Sequence, residues 1–247
     1  MSFKSKLKNI FNSVEDLLFS NHSCVSCGRE IPDGSQFSMC LNCFNELRKI
    51  DGKLCKKCGA HIEGNADVCD ECKETSFEFN CNRSCFYYDE VPAKIIKNLK
   101  YSGNKFIAKI VAEMMMTRPE FFDGIDIITF VPLSKKKLRE RGFNQSEEIA
   151  KIIGAKTGIK VHSLLLKVSD GKNQASLSGK ERLENLKDAF EPLVEAKSIV
   201  KNKRVLILDD IFTTGTTLNE CAKALAKLKP KQISTVTFLK TDFGKND

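Results

Sequence analysis

A chain of 247 residues with 41% apolar and 29% charged side chains can bury a real core in one large domain, or a large and a small one, which excludes wholesale disorder. No apolar run approaches the roughly 18 residues needed to cross a bilayer, so a membrane span is excluded too. The 40 Lys and Arg against 32 Asp and Glu give a formal charge of +8, which favours an anionic partner.

In chain order, Met1–Ser20 places Phe3, Leu7, Ile10, Phe11, Val14, Leu17 and Leu18 on one side of an expected amphipathic helix. Charges interrupt it every few residues, so it lacks the apolar h-region of a signal peptide. Ten of the 11 cysteines then fall between Cys24 and Cys85. Without a secretory leader, such a cluster is expected to bind metal in a reducing cytoplasm rather than form disulfides.

Eight of these cysteines come as four knuckles: Cys24/Cys27, Cys40/Cys43, Cys55/Cys58 and Cys69/Cys72. Two intervening residues let both sulfurs of a knuckle face one ion, and two knuckles complete the tetrahedron that zinc prefers. Gly28 and Gly59 follow the first knuckle of each set, where a turn often needs positive φ. The sets look like copies, with Cys24, Cys27, Gly28 and Ile31 mapping onto Cys55, Cys58, Gly59 and Ile62 at a shift of 31. The repeat favours sequential pairing, Cys24/27/40/43 and Cys55/58/69/72; crossed pairing stays open. Two structural zinc ions are expected. Cys81 and Cys85 read as ordinary thiols on a strand.

Beyond about residue 86 apolar runs alternate with amphipathic helices, the pattern of a parallel α/β sheet. Strands are expected at Ile127–Val131, Val205–Leu208 and Ile233–Leu239, and helices at Phe143–Lys156 and Thr217–Lys229. Three segments are thus predicted: a helix over 1–20, a zinc-binding domain over 21–85 and an α/β domain over 86–247. Charge divides with them, since residues 1–88 hold 11 basic and 12 acidic side chains and the remainder sums to +9.

Between the second strand and its helix stands Asp209-Asp210-Ile211-Phe212-Thr213-Thr214-Gly215-Thr216-Thr217. Backbone N–H groups and hydroxyls from Thr213 to Thr217 at a helix N-terminus can cradle one phosphate. The adjacent carboxylates suit a pair of ribose hydroxyls or a metal ion. A sugar phosphate satisfies both halves. Lys135-Lys136-Lys137-Leu138-Arg139-Glu140-Arg141 is a basic cluster that suits a phosphate backbone, or simply a solvated helix face.

Val205–Thr217 resembles the phosphoribosyl-pyrophosphate (PRPP) motif of type I phosphoribosyltransferases. Val131-Pro132-Leu133 with Arg139-Glu140-Arg141-Gly142-Phe143-Asn144-Gln145-Ser146 is similar to the signature of the ComF family. Gln174, Leu177, Arg182, Asn185, Ala189 and Phe190 agree, as does the double four-cysteine N-terminus. The resemblance implies a phosphoribosyltransferase-like sheet preceded by a small zinc-binding domain. It implies that Asp209 and Asp210 hold ribose hydroxyls, and that Thr213, Thr214, Gly215, Thr216 and Thr217 hold the 5′-phosphate. Lys135, Arg139 and Arg141 would face pyrophosphate or DNA, and Gln174 to Arg182 would form a mobile loop. Ser169–Gly179, rich in Gly, Ser, Asn and Lys, suits a lid on its own account. The ligands implied are PRPP with Mg²⁺ or a nucleotide. The biology implied is natural transformation, with single-stranded DNA and competence helicase or recombination proteins as partners. The alternative is an active phosphoribosyltransferase acting on an unidentified acceptor; no segment declares a hood over a base.

Overall fold

The computed structural model describes residues 22–168 and 189–242. The expected helix over 1–20 and the expected loop with Gln174 and Arg182 lie outside the described residues. The strands are β1 (Cys81–Tyr87), β2 (Ile127–Phe130), β3 (Lys160–Val161), β4 (Leu165–Lys167), β5 (Phe190–Pro192), β6 (Arg204–Phe212) and β7 (Gln232–Lys240). The helices are α1 (Leu41–Asn45), α2 (Asp70–Lys73), α3 (Glu90–Tyr101), α4 (Phe106–Met115), α5 (Lys135–Arg141), α6 (Gln145–Thr157), α7 (Ala196–Val200) and α8 (Thr216–Ala226). None of them is long and apolar enough to cross a membrane.

Five strands form one sheet in the order β1-β7-β6-β2-β3, with every neighbouring pair parallel. Parallel strands need crossovers, and helices then cover both faces. Alternate residues of β6 sort accordingly. Leu206 and Leu208 join Ile95 and Leu99 of α3 and Ile149 and Ile153 of α6. Val205 and Ile207 join Leu218, Cys221 and Leu225 of α8.

Two expectations shift. The sheet begins at Cys81, so a boundary at 85/86 cuts its edge strand: Cys81 pairs with Ser234 and Tyr87 with Lys240. The apolar run Val205–Leu208 is also only the first part of β6. The ladder continues through Asp209↔Thr237 to Phe212↔Lys240, because backbone pairing with a long β7 does not depend on side-chain polarity. The acidic pair therefore sits on the strand rather than beyond it.

The cysteine half folds as two similar loops. Cys24 N–H donates to Arg29 O and Gly28 N–H to Cys24 O; 31 residues on, Cys55 donates to Ala60 O and Gly59 to Cys55 O. Gly28 and Gly59 have φ of 73° and 71°. Gly59 is fixed twice over, since a Cβ there would stand 2.5 Å from Asn82 O on β1. The loops do not build a separate core. Cys24, Val25, Met39 and Cys43 enter the cluster on one face of the sheet, and Cys55, Cys58, Ile62 and Cys72 enter the cluster on the other.

Candidate functional site

The sulfurs of Cys24, Cys27, Cys40 and Cys43 converge, as do those of Cys55, Cys58, Cys69 and Cys72, each set within 4.8 Å. Pairing is sequential. Cys27 Sγ lies 3.8 Å from Cys40 Sγ, and Cys58 Sγ 3.6 Å from Cys69 Sγ. Zn–S bonds of about 2.3 Å in a tetrahedron put sulfurs about 3.8 Å apart, whereas a disulfide would put them near 2.05 Å. The donor set and its spacing fit structural zinc. Cys85 is buried in the sheet, and Cys81 Sγ–H points to Ser234 Oγ at 3.7 Å; neither joins a tetrad. His61 also stays out, with Nδ1 2.8 Å from Asp51 O.

The second site lies at the carboxyl ends of β2 and β6. Chain order reverses there, because β2 is followed by β3 on one side and flanked by β6 on the other. In open α/β sheets this is where a crevice forms. Val131 N–H donates to Leu208 O, holding the two ends together. Asn144 then caps α6, its Oδ1 accepting from Ser146 N–H at 3.0 Å and Glu147 N–H at 3.4 Å. Its Nδ2 donates to Val131 O at 3.0 Å, so the start of α6 is pinned beside the end of β2.

This places Gln145 and Ser146 against the acidic pair. Ser146 Oγ–H donates to Asp209 Oδ1 at 3.0 Å, and Asp210 N–H donates to the same oxygen at 2.9 Å. Gln145 Nε2 donates to Asp210 Oδ2 at 3.3 Å. Lys100 Nζ, from the end of α3, stands 2.5 Å from Asp210 Oδ2. Asp210 thus has a cation, and among the described residues Asp209 has none within bonding reach. Burial, with the neighbouring Asp210 charge, pushes the Asp209 carboxyl up to about 7.

Phe212 ends β6, and Thr213 and Thr214 turn outward, both exposed. Gly215 caps α8 with φ 77°, and a Cβ there would meet Phe212 at 2.6 Å and Phe77 at 3.0 Å. Only glycine fits. Thr214 and Thr216 hydroxyls hydrogen-bond at 2.7 Å across the turn. The turn opens an eleven-residue helix, whose leading N–H groups carry partial positive charge.

Of the basic candidates, Lys135 and Arg139 are exposed on α5. Arg141 reaches inward, its Nη1 donating to Gln145 Oε1 at 3.3 Å. Arg141 therefore joins the network of the acidic pair through Gln145, and Lys135 and Arg139 stand on the rim. Sequence reasoning missed three members. Gln145 and Ser146 stood in the ComF-like signature without a role, and their neighbour Asn144, a cap-forming residue type, was the available clue. Lys100 carries no local signal, because its partner lies on a strand far along the chain.

Comparison with known proteins agrees with this plan. The profile of the family described as Phosphoribosyl transferase domain matches residues 140–245, and that of the Double zinc ribbon domain matches residues 14–73. Competence protein F of Haemophilus influenzae is 26% identical over 222 residues, spanning 87% of this chain and 95% of its own. This chain is similar to the ComF proteins over most of its length. Competence protein ComFC of Bacillus subtilis is 26% identical, covering 82% of this chain and 84% of its own. DNA utilization protein YhgH of Salmonella typhimurium is 26% identical, covering 78% and 86%. The chain combines two zinc ribbons and a transferase-type sheet around shared cores.

Proposed function

We propose that this ComF relative acts in DNA uptake, with a site that takes PRPP–Mg²⁺ or a related sugar phosphate and a basic face that takes single-stranded DNA. One observation supports the ligand: the Asp209–Asp210 pair at the switch point, followed at once by a threonine turn onto the N-terminus of α8. Carboxylates accept hydrogen bonds from ribose hydroxyls, and hydroxyls with helix N–H groups bind the 5′-phosphate. Mg²⁺ would come with the pyrophosphate, and the hard oxygen donors of Asp209 and the threonines are of the class it takes. Arg141, and Lys135 and Arg139 at the rim, supply positive charge for pyrophosphate or for the phosphates of a strand. The DNA role draws on the competence relatives and on the +9 charge beyond residue 88. Ribbon and sheet work as one body in a reducing cytoplasm, the zinc ions holding the scaffold.

A second reading uses the same intact pair for catalysis. Transfer of phosphoribose needs no covalent nucleophile: positioning, and charge on the leaving pyrophosphate, lower the barrier as the sugar approaches an oxocarbenium ion. Titration calorimetry with PRPP and Mg²⁺ tests the site. Binding heat is expected for the wild type and is expected to vanish in Asp209→Ala/Asp210→Ala with zinc content intact. No heat at millimolar PRPP in the wild type would refute the ligand. Pyrophosphate release in the presence of candidate acceptors separates the enzyme from the binder.

A further inference from the structure

The last residue of α3 is Tyr101, and it is 71% exposed. An aromatic ring left in water at the end of a helix whose Ile95, Ile96 and Leu99 are buried is an unusual expense of apolar surface. Its position is set by a closed circuit of contacts. Lys100, the preceding residue, pairs with Asp210, and Asp210 accepts from Gln145. Gln145 accepts from Arg141, and the Arg141 guanidinium lies 5.6 Å from the centre of the Tyr101 ring. The ring is thereby fixed at the edge of the acidic pair and at the end of the basic helix α5. Leu138, one turn before Arg141 on the same side of α5, is 42% exposed and extends the apolar surface.

An exposed ring backed by a guanidinium at the end of a basic helix matches how unpaired nucleic acid is held: cations follow the phosphates and an aromatic face takes a base. We propose that Tyr101 is a stacking platform for an unpaired nucleobase, whose attached phosphates lie along α5. This inference rests on the nucleic-acid part of the proposed function and gives the site the base-side surface that no sequence segment declared. A base on a strand and a base on a free nucleotide present the same chemistry to the ring.

The chain contains no tryptophan, so Tyr101→Trp introduces a lone reporter at the platform. Oligothymidylate is expected to quench its fluorescence, and an abasic strand of equal length to leave it bright. In binding assays the wild type should prefer oligothymidylate to the abasic strand by about tenfold, the scale of one stacked base. Tyr101→Ala should bring that ratio close to one, and Tyr101→Phe should restore it. Adenosine 5′-monophosphate forms the second arm: quenching by it, without quenching by the strand, assigns the platform to a free nucleotide. If the wild type holds both strands equally and neither probe quenches, the platform is wrong while the DNA-binding face stands. If neither strand binds and the nucleotide does not quench, the nucleic-acid reading fails with it.

Discussion

Two adjacent carboxylates on one strand are a standing cost, and at the residue scale Asp209 bears it. Lys100 sits on Asp210 at 2.5 Å, while Asp209 is half-buried beside it. The folded chain therefore holds a proton on Asp209 that the unfolded chain releases, its carboxyl moving from 3.8 to about 7. The folded state binds more protons across that window, so stability falls as pH rises from about 4 to 7. This contribution is fully present below the unfolded value and lost once pH passes the folded one. Asn at this position still accepts from Ser146 Oγ–H and Asp210 N–H without the charge. Asp209→Asn is expected to be more stable than the wild type by about 1–3 kcal/mol at pH 8, with the gap closing toward pH 5. Urea melts at both pH values check this; a pH-independent difference would show that Asp209 does not carry the strain. A group that destabilises the fold at working pH is typical of a site kept for a ligand.

At the scale of elements, each zinc ribbon braces one side of the site. The first grips α3: Asn98 Nδ2 donates to Val25 O at 2.9 Å and Ser26 Oγ–H to Val91 O at 3.1 Å. That helix carries Lys100 to Asp210. The segment leaving the second grips the threonine turn, with Phe77 and Phe79 stacked at 4.6 Å and both packed edge-on against Phe212. Glu78 N–H donates to Asn219 Oδ1 of α8 at 2.7 Å. Loss of one ion should then loosen one side. Cys72→Ser is expected to speed amide exchange by about tenfold or more from Phe212 to Leu218, and Cys43→Ser from Val91 to Tyr101. Uniform loosening in both variants would mean that the ribbons stabilise only the whole fold. The ribbons themselves were legible in the sequence because their information is local: ligands three apart, a glycine after each first knuckle, a repeat. The strand β6 and its helix were legible from apolar periodicity. The extension of β6 through the acidic pair, the place of β1 on the far edge and the arrival of Lys100 were not. Each depends on a partner distant in sequence, and no window of neighbouring residues contains that information.

On the scale of the whole molecule, charge is divided as the fold is. Residues 1–88 sum to −1 and the remainder to +9. Zinc widens the gap, since four thiolates around one Zn²⁺ carry a net charge of about −2. The ribbons are consequently a poor first surface for a polyanion. Helix α5 is a good one: Lys135, Lys136, Lys137 and Arg139 are all exposed, and Ser134 caps its start by accepting from Lys137 N–H at 3.3 Å. The helix follows directly on the end of β2, so phosphates lying on it would run toward the acidic pair and the threonine turn. Each phosphate neutralised on a single strand adds roughly 0.7 to the slope of log affinity against log salt. Changing Lys135, Lys136, Lys137 and Arg139 to Glu in the full chain is therefore expected to flatten that slope by about 2 or more and to weaken binding, with zinc content and the melting curve unchanged. Anisotropy titrations of a labelled oligothymidylate between 50 and 200 mM salt, about the range where such contacts are most visible, make the comparison. A mutant slope equal to that of the wild type would turn α5 into a solvated face and move the DNA surface to the ribbons.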